Sequence, residues 1–276
     1  MIVFPNAKIN LGLNILSRRP DGYHNIESVM LPVGWCDILE LVPSDNGTSL
    51  VTSGRPVECP PEKNLVMKAW RAVRERHPVG DVSIRLHKVI PDGAGLGGGS
   101  ADAAFTIRAL NDMFALGMDD AEMADIAATV GADCPFFIYN RPMLATSTGV
   151  VLEPYDISLD DFTVVIVKPA TEAVSTARAY AGVTPRVPDT GLAAILAGSD
   201  AATWAGTVHN DFEDSIFPIL PRLADIRAAL YDAGAVYCSM SGSGSAVYAL
   251  FTRDIMSEEV HAMFPDCDIH IDHRKR

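Results

Sequence analysis

Pro91, Asp92, Gly93, Ala94, Gly95, Leu96, Gly97, Gly98, Gly99, Ser100 and Ala101 form a run in which five glycines fall within seven positions. Residues 82–90 ahead of it alternate and are rich in β-branched side chains, which predicts a strand. Residues 101–116 behind it predict a helix with Ser100 as its N-cap. A loop without side chains that feeds a helix start suits an anion, because the backbone can approach closely and unpaired N–H groups point outward. Each charge-assisted hydrogen bond of that kind is worth roughly 1.5–3 kcal/mol. Used only as a connector, so many glycines would be entropically costly. Phosphate binding is the better reading.

Several phosphate loops could be meant. Gly93, Gly95 and Gly98 satisfy the spacing G-x-G-x-x-G, which in a dinucleotide-binding unit calls for a carboxylate about 20 residues on, at the end of the next strand. Asp112 has the spacing, but it lies within a helical run, residues 107–114. A Walker-type loop ends in Gly-Lys-Ser/Thr, and Gly99-Ser100-Ala101 has no lysine. A protein-kinase loop needs a partner lysine strand and an H-R-D segment, and neither occurs. The loop is of its own type.

Two further side chains could do chemistry beside a phosphate. In residues 7–15 every odd position is apolar, so Lys8, Asn10 and Asn14 share the other face of a strand. By pattern alone this is a half-exposed strand. Asp133 stands between a helix end and an apolar strand expected at 134–138, where an aspartate beside a proline is ordinarily a turn or cap residue. A turn carrying Tyr23 and His24 follows the first strand.

The elements that must position these groups are readable in outline. Strands are expected at 26–33 and 37–42, with a hairpin turn at Asp45-Asn46-Gly47. Helices are expected at 63–76, opened by Asn64, and at 119–130, closed by Gly131 in the left-handed conformation. Beyond Pro154 the texture changes. A continuous apolar strand is predicted at 162–167, with short helices at 175–181 and 192–196. A longer helix follows at 220–233, then two strands around Ser241-Gly242-Ser243-Gly244-Ser245. A helix at 257–264 and a strand at 268–272 complete an α+β half.

The chain has 276 residues, a 48% hydrophobic share and a formal net charge of −13. Its length suits two domains or one large one. The charge argues against non-specific binding to nucleic acid or an anionic membrane. Five scattered cysteines without a C-x-x-C pair suit a reducing cytoplasm better than a disulfide frame or a zinc site. No apolar run approaches membrane-spanning length.

Taken together, Pro5-Asn6-Ala7-Lys8-Ile9-Asn10-Leu11, Asp21-Gly22-Tyr23-His24, the glycine loop, Gly131-Ala132-Asp133-Cys134-Pro135 and Ser241-Gly242-Ser243-Gly244 resemble the GHMP superfamily of small-molecule kinases. The first, second and fourth segments are similar to the branch that phosphorylates 4-diphosphocytidyl-2-C-methyl-D-erythritol in non-mevalonate isoprenoid biosynthesis. The likeness runs from about residue 3 to about residue 250. It implies an α+β fold, with an ATP-binding N-terminal domain at 1–155 and a ferredoxin-like C-terminal domain at 156–276. It also implies ATP as co-substrate with Mg²⁺, a small-molecule alcohol as acceptor, no nucleic-acid or membrane partner, a cytoplasmic setting, and a monomer or homodimer.

The resemblance further implies roles. Asp133 would accept the hydroxyl proton, and Lys8 would pair with it and face the transferring phosphoryl group. Residues 91–101 would hold ATP, with Asn64, Leu65 and Lys88 bordering the adenine and Ser100 reaching Mg²⁺ or a phosphate. Asn10, Tyr23, His24 and Tyr180 would take the acceptor, Tyr180 by stacking on cytosine. Gly242 and Gly244 would shape the floor near the reacting groups. Family loops often carry two serines where this chain has Ser100-Ala101. A kinase for another small alcohol, a nicotinamide oxidoreductase and a non-catalytic nucleotide-binding module are the competing readings.

Overall fold

The structure is a computed structural model that describes residues 1–172 and 174–275. In chain order its elements are β1 (Ile2–Val3), β2 (Asn6–Arg18), β3 (His24–Cys36), β4 (Ile38–Pro43), β5 (Ser49–Gly54), α1 (Leu65–Arg74), β6 (Val82–Lys88), α2 (Gly98–Met113), α3 (Asp120–Val130), α4 (Cys134–Tyr139), β7 (Met143–Ser147), β8 (Val151–Pro154), β9 (Thr163–Pro169), α5 (Thr176–Ala181), α6 (Leu192–Ala197), α7 (Ala201–Trp204), α8 (Phe212–Ile216), α9 (Pro221–Asp232), β10 (Tyr237–Met240), β11 (Val247–Phe251), α10 (Ser257–Met263) and β12 (Cys267–Asp272). They form two compact units. One comprises residues 1–8, 34–92 and 97–141, and the other 9–33, 93–96 and 142–276.

In the first unit the strand order is β1-β4-β6-β5, and α1, α2, α3 and α4 pack on one another. Leu39, Leu41, Val82, Ile84 and Leu86 alternate into the core, as a sheet with one covered face requires. The hairpin expected at 45–47 is not formed. β6 takes the place beside β4, antiparallel to it, and β5 lies on the far side of β6, parallel to it. The turn itself exists, with Gly47 at φ +85°. Apolar β6 claims the centre and leaves mostly exposed β5 as an edge.

Three other local expectations are corrected here. Helix α2 begins at Gly98, capped by Gly97 at φ 72°, so Ser100 sits inside the first turn and is not the cap. Gly131 does end α3, but in extended conformation with φ −173°, so its lack of a Cβ serves space and not handedness. A Cβ there would stand 3.0 Å from the Cys134 Sγ. Residues 134–139 form helix α4 and not a strand. Pro135 suits a first helical turn, and Phe136, Phe137 and Ile138 are all buried, without alternation.

The second unit holds two sheets. In one, β2, β3, β7 and β8 follow in sequence order. In the other the order is β10-β11-β9-β12, antiparallel throughout, with α9 packed on β10 and β11 and α10 on β12. Strand, helices, two strands, helix and strand in that order make the expected ferredoxin-like arrangement. Every residue of central β9 is buried, which explains its unbroken apolar run. Val165, Val167, Leu223, Ile226, Leu230, Val247 and Phe251 share one core.

A cap away from all the candidate site residues tests the helix assignments. Asp119 accepts the N–H of Glu122 at 2.9 Å and opens α3. Asp119→Ala should lower unfolding free energy by about 1 kcal/mol in chemical denaturation without changing nucleotide affinity. An unchanged midpoint would contradict the cap.

Candidate active site

In the first unit, the end of the glycine loop, Lys8 and Asp133 come together. The Lys8 ammonium is 3.7 Å from the Asp133 Oδ2; the lysine side chain is 4% exposed and the carboxylate 37%. Burial lowers the Lys8 pKa, and the negative charge of Asp133 acts against that fall. Both faces of β2 are covered at this point, so the half-exposed strand suggested by pattern alone is not what forms: Lys8 and Asn10 are both buried.

Gly97 explains why the loop lacks side chains here. A Cβ on it would meet the Phe137 ring at 2.8 Å and the Lys8 Cγ at 3.3 Å. The glycine therefore lets the start of α2 lie directly against the stem of Lys8. No side chain caps α2, so its first-turn N–H groups have no protein side chain to satisfy them. Ser100 and fully buried Ala101 follow in that turn. The Ser100 hydroxyl bonds with the Cys134 thiol, whose pKa burial pushes up to about 12.

A cavity opens on the other flank of the same helix start. Asn64, Leu65, Lys88, Asp92 and Gly99 all line it; Pro91 is buried beside exposed Asp92. Asn64 Oδ1 accepts the N–H of Val66 at 2.9 Å and starts α1. Lys88 does not project freely into the cavity. Its ammonium donates to Asp37 and, at 2.7 Å, to the Asp102 Oδ2.

Asp37 and Asp102 were missed at the level of sequence, and they order this flank. Asp37 is fully buried and also accepts the N–H groups of Val89 at 2.6 Å and Ile90 at 2.9 Å, fixing the backbone where β6 hands over to the glycine loop. Burial works against the Lys88 charge, but Asp102 and Asp37 together raise its pKa. Burial pushes the Asp102 carboxyl up to about 7, with Lys88 opposing. Two carboxylates share one ammonium, so one of them holds a proton more readily.

The second unit carries the other expected residues. Its share of the glycine loop, residues 93–96, is pinned to the turn at 241–245. The N–H of Ser245 donates to the Gly93 carbonyl at 3.2 Å and that of Ala246 to Ala94 at 3.0 Å. The Ser241 hydroxyl donates to the Gly95 carbonyl at 2.9 Å, and a Cβ on Gly95 would collide with the Ser241 carbonyl. Ala94 and Leu96 point into the core. Asn10 donates to the Ser28 hydroxyl at 2.8 Å, and its Oδ1 lies 3.4 Å from where a Cβ on Gly242 would stand. Gly244 is packed just as closely, against Met240.

The missed residue of this unit is Asn210. Its amide donates to the carbonyls of Met240 at 2.7 Å and Gly242 at 2.8 Å, and it accepts the N–H of Phe212. It holds the Ser-Gly-Ser-Gly turn in place. In sequence it reads only as a polar residue before a helix. His24 and Tyr180 stack at 4.7 Å with planes 15° apart, and Tyr180 meets Phe212 edge-on at 4.9 Å. Burial, then nearby Arg18, lowers the His24 pKa. Tyr23 does not join them and is 68% exposed.

Comparison with known proteins comes out uniformly. Residues 64–141 match the family described as GHMP kinases N terminal domain, and residues 189–266 match GHMP kinases C terminal. The chain is 50% identical over 267 residues to a 4-diphosphocytidyl-2-C-methyl-D-erythritol kinase of Parabacteroides distasonis, covering 97% of each. It is 47% identical over 269 residues to the Porphyromonas gingivalis protein of the same name, again covering 97% of each. A crystal structure of 4-(cytidine 5'-diphospho)-2C-methyl-D-erythritol kinase superposes with a TM-score of 0.80 at 30% identity, covering 98% of each chain. A homoserine kinase from Cytophaga hutchinsonii shares the fold, with a TM-score of 0.75 at 20% identity, covering 98% of this chain and 94% of that one.

The Lys88 cluster has a measurable pH signature. Folding raises the Asp102 pKa from 3.8 to about 7, so the folded state binds more protons between those values. That contribution to stability is present below the unfolded pKa and is lost as pH rises through the folded one. Asp102→Asn cannot titrate, so its stability relative to the parent should improve from pH 5 to pH 8 in chemical denaturation. A difference independent of pH would contradict the shift.

Proposed function

The chain belongs to the GHMP kinases, and we propose that it transfers the γ-phosphoryl group of ATP to the 2-hydroxyl of 4-diphosphocytidyl-2-C-methyl-D-erythritol, giving the 2-phosphate and ADP. The observation that carries the chemistry is the Lys8–Asp133 pair beside the uncapped start of α2. The acceptor is supported by the names of relatives that match 97% of the chain.

In this reading the substrate oxygen attacks the γ-phosphorus, the bond from that phosphorus to the β-bridging oxygen breaks, and the hydroxyl proton passes to Asp133. Asp133 is open enough to meet a hydroxyl, whereas Lys8 is not open to bulk water. The lysine charge stabilises phosphoryl oxygens as negative charge shifts among them. The first-turn N–H groups of α2 hold the phosphates, and the base lies in the cavity lined by Asn64, Leu65 and Lys88. His24 and Tyr180 offer aromatic faces to cytosine, with Asn10, Tyr23, Gly242 and Gly244 serving the remainder of the acceptor.

Mg²⁺ enters as part of the nucleotide. Among the described residues no group of three or more His, Cys, Asp or Glu is placed to hold an ion. The ion would be carried mainly on phosphate oxygens, with the Ser100 hydroxyl in the first turn of α2 as a ligand from the protein. The family matches at 64–141 and 189–266 support reading residues 1–155 as the ATP-binding domain and 156–276 as the C-terminal domain in sequence, although residues 9–33, 93–96 and 142–155 pack with the C-terminal part. No described helix is long and apolar enough to cross a membrane, and the free cysteines suit the cytoplasm, where the protein would act as a monomer or homodimer.

Asp133→Asn and Lys8→Ala should each lower kcat by about 10²–10⁴-fold while unfolding cooperatively like the parent. ADP release should require the cytidylyl acceptor in a panel that also contains homoserine and mevalonate. Near-normal turnover in either variant would remove that residue from the mechanism. Release with a simpler alcohol alone would overturn the acceptor.

A further inference from the structure

One polar atom in the nucleotide cavity has no part in phosphoryl transfer. Asp102 is 2% exposed and lines the cavity together with Asn64, Leu65, Ile90 and Gly99. Its Oδ2 accepts from Lys88 at 2.7 Å. Its Oδ1 is buried and has no hydrogen-bond partner among the described residues. A buried acceptor without a donor is unfavourable and calls for one from a ligand or an ordered water.

The cluster constrains what that donor can be. Lys88 has only donors to offer, and Asp37 and Asp102 take two of them. The lysine therefore presents no acceptor on this wall, and the Asp102 Oδ2 is already engaged. Within the cluster a single carboxylate oxygen remains, Asp92 being on the exposed rim of the cavity. It can accept from one amino group, but it cannot grip paired N–H donors with both oxygens, as the N1 and 2-amino edge of guanine would require.

We propose that Asp102 determines nucleotide specificity: its Oδ1 accepts a hydrogen bond from the 6-amino group of adenine and so selects ATP over GTP, whose 6-position carries a carbonyl. Asp37 acts through Lys88 as a positioning residue. Its bonds to Lys88 and to the N–H groups of Val89 and Ile90 fix the ammonium that orients the Asp102 carboxylate. The assignment rests on the reading that the base of ATP occupies this cavity.

The same geometry predicts how a substitution behaves. In Asp102→Asn the amide oxygen must face Lys88, because an ammonium cannot accept. The NH₂ then takes the place of Oδ1, and the unpartnered acceptor becomes a donor.

The test is the dissociation constant of the purified full chain for ATP, GTP and purine riboside triphosphate, which lacks the 6-amino group, measured by calorimetry at pH 8 without the acceptor. The unaltered protein should bind the deaminated analogue about 10–100-fold more weakly than ATP, in line with the loss of a buried hydrogen bond. Asp102→Asn should lower the ATP-over-GTP preference by about 100-fold or more, since it both removes and reverses the contact. A merely structural role for Asp102 would weaken both nucleotides alike. An unchanged ratio overturns the proposal, and so does equal binding of ATP and its deaminated analogue by the unaltered protein, a comparison that needs no variant to fold. Leu65→Trp, which fills the cavity, separates the two layers of inference. If it leaves ATP affinity intact, the base lies elsewhere and the reading of the cavity fails. If it abolishes binding while the Asp102→Asn ratio stays constant, only the Asp102 assignment fails.

Discussion

The start of helix α2 is the constraint on which the nucleotide end of the molecule depends. A helix whose N-cap is a glycine gets no capping side-chain bond for its first N–H groups, which have no intrahelical partner, and such an end must be fixed from below. Three buried charges do this. Lys88 on β6 is gripped by Asp37 after β3 and by Asp102 within α2, so strand, loop and helix meet at one ammonium. A buried ion cluster of this kind is weak as a source of stability, since desolvation offsets most of its attraction. Its use is positional. With the strand end and the helix start held together, the glycines between them can follow the one path that the packing of Lys8 and Phe137 against Gly97 leaves open.

That positional logic also answers an electrostatic difficulty. A chain of net charge −13 repels nucleotides at long range, so affinity must come from the last few ångströms. Screening helps, because the Debye length at physiological ionic strength is about 8 Å. Within that distance stand the start of α2 and Lys8, whose pKa burial lowers and whose one carboxylate partner in the pair, Asp133, holds it up. The Lys8 ammonium and the first-turn N–H groups of α2 put positive charge where a phosphoryl group would transfer. An acidic chain can therefore bind a nucleotide through a few positive groups acting at short range.

What sequence revealed and what it withheld follow from the range of the interactions. The glycine run, Lys8 on its strand face and Asp133 beside Pro135 are local patterns, and the fold brings the end of that run, Lys8 and Asp133 together. Asp37 and Asp102 are defined by a partner 51 and 14 residues away, and neither has a local signature beyond an acidic residue near the end of an element. The turn at 45–47 was legible as a turn, but its chemistry cannot say whether the next strand returns beside β4 or crosses to the far edge of β6. The apolar run 134–138 was too short for periodicity to separate strand from helix. Strands β7 and β8 were missed because their few residues mix polar and apolar types without clear alternation. Tyr180 is far from His24 in the chain, yet its ring stacks on it, a pairing that only the folded chain reveals.

The central claim is that this site moves a phosphoryl group from ATP onto a tertiary hydroxyl. Phosphorus-31 NMR of the purified protein with ATP, Mg²⁺ and 4-diphosphocytidyl-2-C-methyl-D-erythritol tests it most directly. A new phosphomonoester resonance should grow as the γ-phosphate of ATP disappears. It should show no three-bond coupling to a carbinol proton, because the 2-carbon bears none. A product signal split by carbinol protons, or ATP left unconsumed, would contradict it.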